Sequence, residues 1–445
     1  MTSWCDSSAG GQTAAVRSGQ VTATALVEAH LDRISARNPS LNAICTLAAD
    51  QAIARAGAID SAHAAGLPLG PLAGVVTRIK DVTPVRNMRT TYGSPLFADH
   101  VPSESALVVR RLEAAGAIVI GKTNSPEFAA GANTVNKVFG ATHNPYQHGL
   151  SAGGSTGGGA VGAATGMIAL AEGTDFGGSL RVPAAFCGVY GLRPTVGLIP
   201  SHPVPDPWDT GRVHGPIART PGDIALALDA MRGPASESAI AVPDHADHHA
   251  DPGTPPAEAL RIGFAADITG IGIDPGPARA FALAMERISA LVRTEDSGFF
   301  VPETRDAYRV ARALWMAVQY RDLFDRGHTL APALSRNIAA GRSLTGDQIA
   351  KAHATRAALW HRWQDLFARF DVLITPTVPV DPFPITQGWP CTVAGTELDD
   401  DVDWIAPTYA VTLMGLPALQ VPFGKTPAGF PFGLQLIGPR FLANA

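Results

Sequence analysis

Two serines, Ser155 and Ser179, stand twenty-four residues apart in GGSTGGGAVGAATGMIALAEGTDFGGSLRVPA, the stretch from Gly153 to Ala184. Glycine inside regular structure costs backbone entropy, roughly 0.5–1 kcal/mol per residue relative to alanine. So dense a run needs a reason. Either the backbone must take conformations closed to other residues, or main-chain N–H groups must come very close to a reacting atom. Serines in that setting suit nucleophilic chemistry, because a serine hydroxyl attacks only when its surroundings activate it.

Three familiar patterns occur here by letter. Gly116-AIVI-Gly121-Lys122-Thr123 satisfies the phosphate-loop expression GxxxxGK[ST], but that loop needs a strand before the first glycine, a flexible cradle between the glycines and a helix after them. Here the four intervening residues are themselves strand-like. Gly157-x-Gly159-x-x-Gly162 satisfies the dinucleotide fingerprint, yet HGLSAGGST before it reads as loop, and no acidic residue closes a second strand about twenty positions on. Gly153-x-Ser155-x-Gly157 fits the nucleophile elbow of α/β-hydrolases, an esterase reading that requires an acid and then a histidine downstream. The histidines available are His328, His353 and His361. That reading leaves the second glycine–serine cluster around Ser179 unexplained and ranks second.

Elements must hold these residues. GVVTRI (Gly74–Ile79) reads as a strand that delivers Lys80 and Asp81 at its end, which alone would be an ordinary surface ion pair. Thr24 reads as the cap of a helix through Leu26, Val27, Leu31 and Ile34, with Pro39 as its stop. A second helix is expected from about Ser105 to Ala115, then a buried strand over Ala117–Ile120 closed by Gly121. Helix, strand and glycine-rich turn alternate to about residue 230, as in one α/β core. Pro234–Pro256 carries no periodicity and reads as an exposed loop, its DHADHHA tract solvated rather than metal-binding. Strand character returns at Arg261–Asp267, helices dominate from about Ala278 to Phe370, and Asp371–Val380 reads as a late core strand. GLPALQVPFG and FPFGLQLIGP then read as two strands joined by a turn.

Bulk properties narrow the class. The 445 residues are 46% apolar and 16% charged, with a net charge of −5, which suits a large buried core and offers no basic footprint for nucleic acid or an anionic membrane surface. Four scattered cysteines, Cys5, Cys45, Cys187 and Cys391, form no framework and favour a reducing compartment. The apolar neighbours of Cys187 read as those of a packing cysteine. No leader and no membrane-spanning run is read, so a cytoplasmic protein of bacterial type is expected.

Taken together, GGSTGG and EGTDFGGSLRVPA with RIKD upstream resemble the amidase signature family. GPLAGVVTRIKDV, TTYGS, KTNSPEFAAGANTVNKVFGATHNPY, AAFCGVYGLRPTVG, GPIARTPGD, LITPT and GLPALQVPFG follow in the family's order, so the likeness covers nearly the whole chain, weakest between about Pro234 and Phe370. The resemblance implies a single α/β/α domain over 1–445 with a central mixed, twisted sheet flanked by helices, its core at 65–230 and 370–445 and a variable pocket region at about 234–370. It implies hydrolysis of amide C–N bonds through a Ser–cisSer–Lys triad, with Ser179 as nucleophile, Ser155 as the cis-serine and Lys80 as base. The N–H groups of Phe176, Gly177, Gly178 and Ser179 match the oxyanion hole, and Asp175 and Arg181 a supporting pair.

The chemistry is physically coherent. Lys80 serves as a base only when neutral, so its pKa must fall far below the free value near 10.4, and burial supplies shifts of that kind. Paired glycines at 177 and 178 let N–H groups converge on an oxyanion, each donor being worth about 3–4 kcal/mol of barrier. Thr156 stands where many members have a second serine near the lysine, and its hydroxyl is expected to do the same job. Phe176 replaces a common Ile or Thr and changes pocket volume only. By the resemblance, a terminal helix is expected to follow GPRF.

The expected enzyme is a cofactor-free, metal-free amidase acting on a small-molecule amide or carbamate, as a monomer or homodimer. Trp208, Trp315, Met316, Tyr320 and Trp389, in the segments His202–Asp209, Ala313–Phe324 and Gln387–Val393, are expected to line an apolar pocket for aryl or alkyl groups, which points to anilides or urethanes. The family's other role, the glutamine-dependent amidotransferase A-type subunit, is the alternative, and the acidic balance and aromatic pocket speak against it.

Overall fold

The computed structural model describes residues 4–242 and 259–441, and the DHADHHA tract at 244–250 lies outside the described residues. Among the described residues eleven strands form one mixed sheet. From one edge they run Ile44–Leu47, Ile118–Thr123, Val76–Lys80, Leu170–Asp175, Val213–Ala218, Tyr190–Arg193, Ala418–Lys425, Pro431–Ile437, Val372–Pro376, Ile262–Phe264 and Thr294–Asp296. Both edges come from outside the expected core stretches.

Helices cover both faces, because the central strands bury both sets of their alternating side chains. On one face Leu26, Val27, Ala160, Val161 and Ala184 pack with Val76 and Ala171. On the other, Val108, Leu112, Ile224 and Leu228 pack with Ile79 and Leu170. The second half repeats the scheme: Leu373 and Ile437 meet Leu359, Trp363 and Val411, while Ile374 and Leu434 meet Phe281 and Met285. The expected α/β/α layering is therefore the observed one.

Local readings hold with shifted ends. The first long helix spans Ala23–Leu41 and is capped by Thr22, whose hydroxyl accepts from the Ala25 N–H at 3.1 Å. Thr24, expected to be the cap, donates its hydroxyl to Asp60 at 2.6 Å instead. Pro39 sits inside the last turn, where its missing N–H removes a single helical bond. The helix stops at Asn42, with φ 50° and its N–H on the Asn38 carbonyl at 2.7 Å. The Ile118–Thr123 strand runs through Gly121 and Lys122, which excludes a phosphate loop there.

Two features aim the chain at one place. Val76–Lys80 and Leu170–Asp175 are parallel neighbours, with Arg78 opposite Ala171, so Lys80 and Thr174 reach the same end of the sheet. The helix Gly157–Ala164 (GGGAVGAA) lies against these strands at very close range. A Cβ on Gly158 would lie 2.4 Å from the Ala43 carbonyl oxygen and 2.5 Å from the Asn124 nitrogen. Glycine there lets Ser155 approach the strand ends, the usual place for reacting groups in an open α/β sheet.

Candidate active site

At this end of the sheet Lys80, Ser155 and Ser179 come together. Lys80 is fully buried, and its Nζ stands 2.6 Å from Ser155 Oγ and 3.0 Å from Thr174 Oγ1. The Gly154–Ser155 peptide is cis. Ser155 is buried, Ser179 is half-buried, and both line one cavity. The Thr156 N–H donates to the Ser179 carbonyl at 3.2 Å, tying the two serine segments by their backbones.

Burial drives the Lys80 pKa from 10.5 down to about 7; the charges of Glu172 and Asp175 oppose the shift and Arg212 adds to it. A substantial fraction of Lys80 is thus a neutral amine near neutrality. Asp81 is also buried but forms no pair with Lys80, accepting instead from the N–H and hydroxyl of Thr91. The surface ion pair that Lys80 and Asp81 would suggest if taken alone is absent among the described residues. Thr156 donates to the Thr174 carbonyl at 3.4 Å, so the hydroxyl beside the lysine belongs to Thr174 rather than Thr156.

Sequence reasoning missed a buried pair behind the lysine. Glu172 accepts from the Lys80 N–H at 3.1 Å and from the Thr83 hydroxyl at 3.2 Å, and it lies 2.7 Å from His214 Nδ1. Burial works to raise its pKa, but the hydrogen bond and field of His214 outweigh that and leave it lowered. The two residues belong to neighbouring strands, and nothing in their spacing along the chain marks them as a pair.

The loop between Asp175 and Arg181 is fixed from within. Gly177 and Gly178 have φ of 125° and 138°, a region closed to other residues without strain. The Arg181 Nε and Nη2 reach the two Asp175 oxygens at 3.0 and 2.9 Å, and Arg193 Nη1 lies 3.2 Å from one of them. Burial acts to raise the Asp175 carboxyl, but Arg181 and Arg193 hold it well below the ordinary carboxylate range. Arg193 is the partner that sequence did not single out. The Gly177 N–H donates to Thr412 Oγ1 at 3.2 Å and the Gly178 N–H to Asp175 at 3.0 Å. The Phe176 and Ser179 N–H groups have no acceptor among the described residues.

The cavity holds about 450 Å³. One face of the helix Thr304–Asp325 lines it, through Tyr308, Arg312, Trp315, Met316, Gln319, Tyr320 and Leu323, at the three- and four-residue spacing of a helix. Trp315 stacks on Phe176 with ring centroids 4.5 Å apart, and Tyr320 tilts on Phe128 at 4.9 Å. Tyr92, Phe97, Phe128 and Ile405 complete the apolar wall and were not foreseen. Tyr92, Phe128 and Ala129 carry φ of 55°, 49° and 58°, strain of a kind that concentrates at ligand sites. Of the expected pocket residues Trp315, Met316 and Tyr320 line it. Trp208 is 70% exposed and outside the lining, and Trp389 packs against the cluster of Phe186, Phe383 and Trp404. Pro203, Val204 and Pro205 line the cavity in place of Trp208.

None of His328, His353 and His361 lines the cavity. The elbow reading lacks its histidine, and Ser155 follows a loop rather than a strand. Cys187 is fully buried beside the Ala152 carbonyl, and burial pushes its thiol pKa up, as expected of a packing cysteine. Among the described residues no cluster of three or more His, Cys, Asp or Glu side chains is placed to hold a metal ion.

Known proteins give the same picture. The Amidase family model matches residues 25–443. An acylamidase of Rhodococcus erythropolis is 34% identical over 437 residues, covering 95% of this chain and 90% of its own length. The A-type subunit of the glutamyl-tRNA(Gln) amidotransferase of Koribacter versatilis is 31% identical over 463 residues, covering 96% and 93%. The crystal structure of a bacterial aryl acylamidase of the amidase signature family superposes with a TM-score of 0.89 at 28% identity, over 98% of this chain and 93% of that one. The sheet, the glycine–serine loops and these matches agree: the chain belongs to the amidase signature family and is an amide-hydrolysing enzyme.

Proposed function

We propose that Ser179 is the nucleophile, Ser155 the proton relay and Lys80 the base of a two-step acyl transfer on small aryl or alkyl amides. The observation that carries this reading is a buried, readily neutral lysine amine 2.6 Å from Ser155 Oγ, in a cavity lined by both serines. Ser179 Oγ attacks the amide carbonyl carbon. Its proton passes to Ser155 Oγ, whose own proton goes to neutral Lys80 Nζ. The N–H groups of Phe176 and Ser179, which have no other acceptor among the described residues, receive the developing oxyanion, and those of Gly177 and Gly178 hold the loop in shape. As the C–N bond breaks, the Lys80 ammonium returns its proton through Ser155 to the leaving amine. Water then attacks the Ser179 ester and gives a proton through Ser155 to Lys80, which returns it by the same route to Ser179 Oγ as the C–O bond breaks and the acid is released.

The aromatic lining of Tyr92, Phe97, Phe128, Phe176, Trp315 and Tyr320 favours substrates with a ring or an apolar chain, because it offers flat apolar contact. Anilides come first and carbamates of the same size second. The reducing cytoplasm is the fitting compartment for four free cysteines. A second reading, glutamine hydrolysis within an amidotransferase, is favoured by the likeness to the Koribacter versatilis protein. The test is turnover of 4-nitroacetanilide, phenyl carbamates and glutamine by wild type, Ser179→Ala and Ser155→Ala, with a fluorophosphonate label located by peptide mass spectrometry. Anilide turnover lost in Ser179→Ala, with the label on Ser179, is the expected result. A label on Ser155, or full activity in Ser179→Ala, sinks the assignment, and turnover of glutamine alone moves the protein to the second reading.

A further inference from the structure

Most of the cavity wall is apolar, and its charged groups share a sign. Arg212 and Arg312 line it, and no carboxylate is among the lining residues. Arg312 is occupied: Nη1 donates to Asn337 at 2.7 Å and Nη2 lies 3.6 Å from Asp401. Arg212 is not. Its Nε is buried with no hydrogen-bond partner, and no side-chain nitrogen of Arg212 donates a hydrogen bond among the described residues. Its ion-pair partner, Asp209, lies 4.0 Å from Nε. Asp209 is itself engaged by the Trp315 indole at 2.7 Å and by the Gly211 and Arg212 N–H groups at 2.7 and 3.2 Å. Gln319, on the facing helix, likewise has a buried Nε2 without an acceptor. Two residues that line the cavity, one of them cationic, thus each carry a donor with no acceptor among the described residues. Buried donors left so are costly unless something fills the site.

We infer that the cavity is built for an amide bearing a carboxylate away from the scissile bond, received by Arg212 with Gln319 as a second donor. Guanidinium is the side chain best matched to a carboxylate, through paired parallel hydrogen bonds. The aromatic wall takes the ring or chain that carries the acid, so the substrate class is an aryl or alkyl amide with one negative charge. This inference rests on the amidase reading proposed above and narrows its substrate.

The experiment compares matched pairs on wild type and Arg212→Gln: 5-acetamido-2-nitrobenzoate against 4-nitroacetanilide, and succinyl-4-nitroanilide against butyryl-4-nitroanilide. At least one acidic substrate is expected to exceed its neutral partner in kcat/KM in the wild type. That ratio should fall roughly 10- to 100-fold in Arg212→Gln, as loss of a charged hydrogen bond predicts. The ratio is taken at one pH, because loss of the Arg212 charge also raises the Lys80 pKa and affects both members of a pair. Calorimetric titration of wild type and Arg212→Gln with benzoate and with benzyl alcohol reads the same site without turnover. Benzoate binding to wild type that is lost in the variant, with benzyl alcohol unaffected, is the expected result. Turnover of neutral anilides with no acidic preference, or a preference unchanged in Arg212→Gln, overturns the inference and leaves the amidase reading standing. If no amide is turned over, the amidase reading fails, and benzoate binding alone decides the anion site.

Discussion

Replacing Lys80 by methionine separates the cost of the lysine from its use. In the fold the lysine titrates at about 7, against 10.5 for a free one. Between those values the unfolded chain binds a proton that the folded chain rejects, so wild-type stability rises with pH across that window by about 1.4 kcal/mol per unit. Well below pH 7 both states are protonated and burial of the charge costs the wild type about 5 kcal/mol; at pH 9 about 2 kcal/mol of that remains. Methionine has a similar length and no charge, but it forfeits the bonds to Ser155 and Thr174, worth about 1 kcal/mol each at any pH. The Lys80→Met variant is therefore expected to be about 2–3 kcal/mol more stable than wild type at pH 7 and level with it at pH 9. Urea unfolding followed by tryptophan fluorescence at the two pH values reads the contrast. Amide turnover should meanwhile fall at least about 100-fold in the variant, and wild-type kcat/KM should rise with pH as one proton leaves near pH 7. An advantage that is equal at pH 7 and 9, or that grows with pH, would refute a neutral buried lysine and the base role built on it.

Other substitutions test the supports. Thr174→Val removes one acceptor from the Lys80 ammonium, so the acid limb of the kcat/KM profile should move down by up to about one pH unit. Asp175→Asn leaves Arg181 and Arg193 buried without their counter-charge and should cost about 3–5 kcal/mol, read as a lowered urea midpoint. Gly158→Ala sets a methyl group against the Ala43 and Asn124 backbone and should cost about 1–3 kcal/mol or more by the same assay, with turnover falling as Ser155 is pushed away. Trp315→Ala opens the wall facing Phe176 and should raise KM for anilides more than for short alkyl amides.

Much of the site is legible in the chain because it is written in short stretches. The strand before Lys80, the glycines at 177 and 178 and the small residues before and after Ser155 each state a local geometry that few other residues satisfy. The same holds for the wall formed by Trp315, Met316 and Tyr320, whose spacing is that of one helix face. Expectation and structure part where a residue type acts through distant neighbours. Trp208 and Trp389 are aromatic in segments near the pocket, yet one faces solvent and the other packs elsewhere. Thr24 and Thr22 are equally good caps by type, and the choice fell to Thr22 because Asp60 engages the other hydroxyl.

Sequence by itself therefore determined the chemistry on offer around Ser155 and Ser179, along with the family and the α/β layering, since spacing and composition act within a few residues. Tertiary structure decided which groups meet. Thr174 touches Lys80 because two strands run parallel in a particular register, and Glu172 meets His214 across an antiparallel one. Arg193 joins Asp175, and Arg212 comes to line the cavity beside the helix Thr304–Asp325, only once the tertiary structure has formed. Such pairings depend on distances set by packing between segments tens to hundreds of residues apart, which no local pattern records.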